Sequence, residues 1–337
     1  MHSKNLMPAE WEQHAATWLS WPKNKETFPA NVLEKVEHIY VQMIDALHSK
    51  EKINVLVDDQ ATENKARKLL TEVGANKNII FHKVKTVDVW IRDYGPIFVR
   101  NRNIKITKWT FNAWGGKYDD LKMDDSVIDK LAPTLDLEII KPGIILEGGS
   151  IDVNGKGTLL TTEQCLLNKN RNPHLNRQQI EKYLQKYLGV SNVIWLKEGI
   201  AGDDTDGHID DIARFVNPRT VLCALEENVS DQNYRILAAN FKQLGMAKDQ
   251  DGNPIQVKPL PMPRAVKAPY GRLPASYANF YIGNGAILLP IFRDKNDEKA
   301  VSILEDHFPG RRVVPIYCEP LVWGLGGIHC VTQQQPS

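Results

Sequence analysis

The sequence predicts an α/β fold in which hairpin–helix–strand units close into a ring. Three observations lead there. Paired strand-like runs joined by Asn/Gly/Pro turns occur four times. The turn centres recur at 52 (103 to 155), 63 (155 to 218) and 66 (218 to 284) positions, with a helical pattern and another strand after each hairpin. Half-units remain at both ends of the chain. A fifth unit that joins those ends completes the ring and removes exposed sheet edges.

In chain order, residues 14–21 alternate and stop at Pro22, which reads as a strand. Residues 30–49 carry Val32, Val36, Ile39, Tyr40 and Met43 at helical spacing. A buried strand is expected at 53–57 and a second helix at 61–73, ended by Gly74. The hairpins are expected at 97–99 with 104–111, 150–153 with 158–162, 209–216 with 220–225, and 277–282 with 286–291. Helices follow at 125–135, 177–188, 231–244 and 297–308, then strands at 137–140, 193–196, 255–260 and 313–316. No low-complexity linker interrupts the pattern, so residues 1–337 are expected to form one domain.

Composition narrows the function. The chain is 42% hydrophobic and 25% charged, with a formal net charge of +1, so nothing in its charge favours nucleic acid or a membrane surface. The opening residues Met1 to Glu10 have no apolar leader pattern, and a cytoplasmic protein is expected. Four scattered cysteines without a CxxC pair are expected to be reduced, with Cys165 and Cys223 in the core and Cys318 in a loop.

The polar residues gather where each hairpin begins. These places are residues 90–96, 146–150, 203–211 and 326–330. A ring brings them to one end of its axis, and with them Asp93, Glu147, His208, Asp210 and Cys330. Cys330 follows three glycines, Gly324, Gly326 and Gly327, which permit close approach of the backbone to a ligand. It is the candidate nucleophile. Strand alternation puts His208 and Asp210 on one face and Asp211 on the other. It also turns His329 away from Cys330, leaving His208 as the partner of the thiol. Arg92, split from Asp93 in the same way, reads as a structural ion-pair residue. Asp93 before Gly95-Pro96 also fits a plain turn residue. The acidic run 203–211 fits a solvated loop or a cation site, although it lacks EF-hand and zinc spacing, and no metal is expected. No GxSxG, Walker loop or GxGxxG is present, and no cofactor is expected.

One thiol, one histidine and several carboxylates suit a cationic electrophile. A guanidinium is planar, permanently charged and gripped in a bidentate manner by carboxylates. Its resonance-stabilised carbon calls for a nucleophile as strong as thiolate.

The residues resemble a known family. Met7-Pro8-Ala9-Glu10-Trp11-Glu12, the Trp90 to Pro96 run, Leu146 to Gly149, Asp204 to Asp210, Ser276 to Tyr281 and Gly327 to Gln334 are similar to the agmatine deiminases, grouped with the bacterial-type peptidylarginine deiminases. The resemblance implies the pentein fold, a five-bladed α/β propeller of ββαβ units around a pseudo-fivefold axis. It implies Cys330 as nucleophile, His208 as acid/base, Asp93 and Asp210 as guanidinium carboxylates, and Glu147 as a further site carboxylate. The substrate implied is agmatine, converted with water to N-carbamoylputrescine and ammonia, a step toward putrescine. Trp90 is placed to cover the aliphatic chain. Asp204 belongs to an acidic loop that repels an α-carboxylate, and Gly327 allows close approach. Arg264 and Arg272 lie where either could reach the mouth of the site. Residues 21–29 replace a longer Trp/Arg-rich stretch of better-known members. Alternatives are a deiminase of free or peptidyl arginine, an amidinotransferase, or a non-catalytic binding module. The expected partner is a small guanidino molecule, with a homo-oligomer compatible.

Overall fold

The computed structural model describes residues 5–337. Residues 1–4, which open both the stretch read as lacking a leader and the expected domain, lie outside the described residues. The architecture is mixed α/β. Five sheets share one plan, an antiparallel pair extended by a parallel strand. Four come from continuous chain: Ile97–Asn101, Asn103–Thr107 and Ile139–Ile140; Asp152–Val153, Thr158–Thr162 and Asn192–Leu196; Ala213–Asn217, Thr220–Leu225 and Gln256–Pro261; Tyr281–Ile282, Ala286–Ile291 and Arg312–Tyr317. The fifth takes Gln333–Pro336 from the far end and sets it antiparallel to His14–Ser20, beside Lys52–Val57 and Ile79–Lys83.

The crossovers are helices whose apolar stripe faces a sheet. Ala30–Leu47 buries Val32, Val36, Ile39, Tyr40, Met43 and Leu47. Arg177–Leu188 begins with a reciprocal Asn176/Gln179 capping box and buries Ile180, Leu184 and Leu188 along one side. Truncating Leu184, fully buried, to alanine removes core contacts worth about 2–5 kcal/mol. No helix among the described residues is long and apolar enough to cross a membrane.

The structure corrects the sequence reading where each hairpin begins. The third hairpin starts at Ala213 and not at 209, the second at Asp152 and the fourth at Tyr281. The residues ahead of these strands form single helical turns: Ile91–Tyr94, Gly148–Ser150, Ile209–Asp211 and His329–Val331. In the fourth unit a turn closes through the Asn279 N–H to the Ser276 carbonyl at 3.4 Å. Successive side chains on a 3₁₀ turn point about 120° apart, so the two-residue alternation used to sort Asp210 from Asp211 does not apply. The half-exposed strand Ile79–Lys83 had no clear pattern to mark it. Cys165 is buried on the helical turn Glu163–Leu166, and Cys318 is buried at the start of the turn Glu319–Val322.

Candidate active site

The short turns meet. The Gly149 N–H donates to Asp93 Oδ1 at 2.9 Å, and Asn279 Nδ2 donates to Asp211 Oδ1 at 3.0 Å. The His329 N–H donates to Asn279 Oδ1 at 2.9 Å. A side chain at 149 would place its Cβ 2.5 Å from His208 Nδ1 and 2.9 Å from Asp93 Oδ1, so only glycine fits between them.

Above this junction opens a cavity of about 310 Å³. Cys330 lines it and is 7% exposed. Trp90, Trp114, Trp323, Tyr118 and Tyr270 form aromatic walls. Glu26, Asp88, Asp93, Asp120 and Asp204 add carboxylates, and no lysine or arginine lines the cavity. Trp90 packs edge-on to Trp114, with ring centroids 6.4 Å apart. Trp114 has φ +51° and follows Ala113 at φ +55°, a left-handed conformation uncommon for a bulky residue. This backbone turns the indole so that Nε1 donates to Asp93 Oδ2 at 2.9 Å.

Asp93 and His208 form one buried pair, with Nδ1 3.8 Å from Oδ1. Burial pushes the Asp93 carboxyl up, against the lowering effect of His208. Burial pulls His208 down, but Asp93 and then Cys165 and Asp210 outweigh it, holding the imidazole well above its ordinary value. Its Nε2 is buried without a protein partner. Glu147 stands behind. Its Oε1 accepts from Arg171 Nε at 2.6 Å while Oε2 has no partner. Glu147, Cys165 and His208 bring donor atoms within 4.8 Å of one another, and this is the cluster able to hold a metal among the described residues; of the run 203–211 it takes His208 and none of the aspartates.

Asp210 is fully buried. Its Oδ2 accepts from His329 at 2.8 Å and lies 3.8 Å from the Cys330 thiol, while Oδ1 has no partner. Burial raises the Asp210 carboxyl, but His329 outweighs it and holds the group below the usual carboxylate range. His329 is therefore not turned away from the catalytic cluster, as alternation implied. Its other nitrogen reaches Glu10 Oε2 at 2.8 Å. Glu10 also pairs with Arg214 at 2.9 Å and Arg92 at 3.4 Å, so Arg92 has the structural role expected of it. Asp211, expected on the opposite face, is buried against Asn279. Asn279 Nδ2 lies 3.3 Å from Cys330 Sγ. Sequence reasoning gave Asn279 and Glu10 no role in the site, since an amide and a distant acid carry no spacing signal; it read Trp109, Trp114 and Trp323 as either core or cleft wall, and Trp114 and Trp323 line the cavity while Trp109 is core.

Burial pushes the Cys330 thiol well above its ordinary value, and Asp210, Asp211 and Asp93 push it further. Gly327 does not line the cavity. A Cβ there would lie 2.4 Å from Asn279 Oδ1, so its glycine makes room for that amide and not for a ligand. Asp204 does line the cavity, accepts from the Tyr118 hydroxyl and lies 3.6 Å from Lys117. Arg264 pairs with Glu319 and Arg272 with Asp231, and neither reaches the cavity. The 21–29 stretch places Asn24, Glu26 and Thr27 on the rim, where Asn24 and Thr27 both donate to Asp88. Burial raises Asp88 to about 6, against those donors.

The chain is similar to known proteins over nearly its whole length. The model of the Porphyromonas-type peptidyl-arginine deiminases matches residues 6–336. The agmatine deiminase of Ectopseudomonas mendocina is 38% identical over 359 residues, covering 98% of this chain and 95% of that protein. The agmatine deiminase of Stutzerimonas stutzeri is 37% identical over 361 residues, with the same coverage. The solved agmatine deiminase of Enterococcus faecalis superposes with a TM-score of 0.89 at 32% identity, covering 99% of this chain and 96% of that one. The chain belongs to the Porphyromonas-type peptidyl-arginine deiminase family.

Proposed function

We propose that this chain is an agmatine deiminase acting through Cys330, on a single pentein domain spanning residues 1–337 whose five sheets ring a pseudo-fivefold axis. The meeting of five structurally related turns at one junction supports the ring. The observation that carries the substrate is the lining of that cavity. A thiol and aromatic side chains line it with five carboxylates, and no lysine or arginine is among the lining residues, Lys117 reaching Asp204 from outside them. Agmatine is a dication with a guanidinium at one end, an ammonium at the other and an apolar chain between. Free arginine carries an α-carboxylate that needs a cation this cavity does not offer.

The guanidinium lies between Asp93 and Asp210, whose free Oδ1 accepts one of its N–H groups. Its charge offsets the carboxylates that hold Cys330 protonated, so on substrate binding the thiol gives its proton to solvent and becomes thiolate. Sulfur adds to the guanidinium carbon, giving a tetrahedral adduct. His208, protonated beside Asp93, delivers a proton to one nitrogen, which leaves as ammonia and yields an amidino-thioether. Neutral His208 then takes a proton from water as that water attacks the same carbon. Collapse expels the Cys330 sulfur and releases N-carbamoylputrescine. Glu147, anchored by Arg171, steadies His208 from behind. Trp90 covers the aliphatic chain and Asp204 attracts the distal ammonium. The electrophile already carries full positive charge, so the step calls for neither cofactor nor metal. A cytoplasmic location fits a reduced nucleophile.

The test is side-by-side release of ammonia and ureido product from agmatine, free arginine, a C-terminal-arginine peptide and methylated arginine. Turnover of agmatine with kcat/KM at least about a hundredfold above arginine, roughly 2.7 kcal/mol of transition-state discrimination, is expected. Equal or faster turnover of arginine or the peptide overturns the substrate and leaves the cysteine chemistry standing.

A further inference from the structure

We propose that Glu147, Cys165 and His208 form a binding site for a zinc-like divalent cation, and that a metal held there switches the enzyme off. The loss of activity rests on His208 being the acid/base of the proposed reaction. The binding itself rests only on the three side chains.

The three groups come from separate elements. Glu147 precedes the turn Gly148–Ser150, Cys165 sits on the helical turn Glu163–Leu166, and His208 precedes the turn Ile209–Asp211. All three are buried. One ligand atom from each lies within 4.8 Å of the other two. Ligand atoms around a tetrahedral zinc, on bonds of about 2.0–2.3 Å, stand roughly 3.3–3.8 Å apart, so a cation draws these in by about 1.5 Å at most. A thiol, an imidazole and a carboxylate are the donors that zinc and cobalt take up in preference to magnesium or calcium.

Two atoms point to a ligand here. Glu147 Oε2 and His208 Nε2 are buried, and neither has a partner among the described residues. The other polar atom of each side chain is engaged. Glu147 Oε1 accepts from Arg171 Nε at 2.6 Å, and His208 Nδ1 faces Asp93 Oδ1 at 3.8 Å. Metal-bound carboxylates and imidazoles are ordinarily braced from the far side in this way. Cys165 is held as firmly. Its N–H donates to Thr162 Oγ1 at 3.1 Å, and the Thr162 hydroxyl donates to the Gly207 carbonyl, next to His208, at 2.6 Å. The reaction proposed above gives the Cys165 thiol no task.

Binding replaces the hydrogen of the Cys165 thiol and the one on His208 Nε2, and both protons pass to solvent. A ring bound to metal through Nε2 keeps its Nδ1 hydrogen and has no free nitrogen left to accept another. It no longer cycles between the imidazolium that protonates departing ammonia and the imidazole that takes a proton from water.

The experiment uses the purified full chain, stripped with chelator and desalted. The binding probe is cobalt(II) chloride, because a cobalt–thiolate bond gives a near-ultraviolet charge-transfer band. Zinc chloride is the probe for inhibition of ammonia release from agmatine. Wild type and Cys330→Ser are expected to bind one equivalent of cobalt and show the band. Cys165→Ser is expected to lose the band and to bind at least about a hundredfold more weakly. Zinc is expected to abolish wild-type turnover, and Cys165→Ser to need at least about a hundredfold more zinc for half inhibition, each protein being compared with its own metal-free rate. Thermal unfolding is recorded for every variant. If Cys165→Ser does not fold, Glu147→Gln takes its place, with the band kept and cobalt affinity lowered at least about tenfold. A band that survives in Cys165→Ser and vanishes in Cys330→Ser puts the metal on the nucleophile and overturns the proposal. So does the absence of a band in the wild type at millimolar cobalt, or equal zinc sensitivity in wild type and Cys165→Ser. Cobalt bound at Cys165 while zinc leaves turnover intact overturns the inhibition and, with it, the acid/base role of His208. Cobalt bound at Cys165 in a protein that does not turn over agmatine refutes the substrate reading and leaves the metal site standing.

Discussion

Asp210 Oδ2 accepts a hydrogen bond from His329 at 2.8 Å while Asp210 Oδ1, equally buried, has no partner in the protein. One oxygen is committed to holding the side chain, and in the proposed complex the other accepts from the guanidinium. Asp210→Asn keeps the shape but removes the charge. Losing a charge-assisted pair of about 1.5–3 kcal/mol should lower kcat/KM for agmatine by one to two orders of magnitude. Steady-state kinetics of the folded variant provide the check, and kcat/KM within threefold of wild type would remove Asp210 from the guanidinium clamp.

Cys330→Ser should lose nearly all turnover and still bind agmatine, which isothermal titration can measure. Acid-quenched wild-type enzyme should carry the mass of an amidino group on the Cys330 peptide. If Cys330→Ala turns over within tenfold of wild type, covalent catalysis is wrong.

The resting thiol should be inert at neutral pH. Burial, then Asp210, Asp211 and Asp93, hold it well above its ordinary value, so the neutral form predominates below that raised value. Alkylation by neutral iodoacetamide should be slow at pH 7 and should still be rising above pH 9. A cationic haloacetamidine, which offsets the carboxylates as it binds, should react at least about a hundredfold faster at pH 7. Similar rates for the two reagents would mean that the thiolate exists before substrate arrives.

Asp204 lines the cavity and accepts from the Tyr118 hydroxyl. Asp204→Asn should raise KM for agmatine about tenfold and leave kcat within about threefold, the signature of lost uniform binding. It should also narrow the preference for agmatine over arginine. A fall in kcat with KM unchanged would contradict a role at the ammonium end.

Exhaustive chelation should leave activity unchanged. If activity falls and returns with one equivalent of metal, Glu147, Cys165 and His208 become the ligands to test, since their donor atoms lie within 4.8 Å.

Much of this was readable from the residues. The helix Arg177–Leu188 and the strand Thr158–Thr162 fall where periodicity and turn chemistry put them. Joining the two ends of the chain in one sheet was also foreseen from the leftover half-units, and Gln333–Pro336 does pair with His14–Ser20. The error was systematic. The first hairpin begins at Ile97 as expected, but the second, third and fourth were started too early and the turns ahead of the strands were given a strand's alternation, because a one-turn helix of three or four residues has too few positions to display a period. That error reversed the reading of Asp211 and His329. Asn279 was illegible for another reason. Its value lies in two fixed neighbours 68 and 50 residues away in sequence, and no local pattern records them.

The pairing of Gln333–Pro336 with His14–Ser20 bears on how the enzyme is made. The turn that carries Cys330 ends at Val331, two residues before this last strand begins. During synthesis the first strand emerges early and waits more than 300 residues for its neighbour. Until residues through Pro336 have cleared the ribosome, the nascent chain has carboxylates and histidine but no placed thiol. Closure of this longest-range contact is a late event. Deimination is thus withheld from a chain that stops short of this strand, and a polypeptide truncated before residue 330 releases no active fragment.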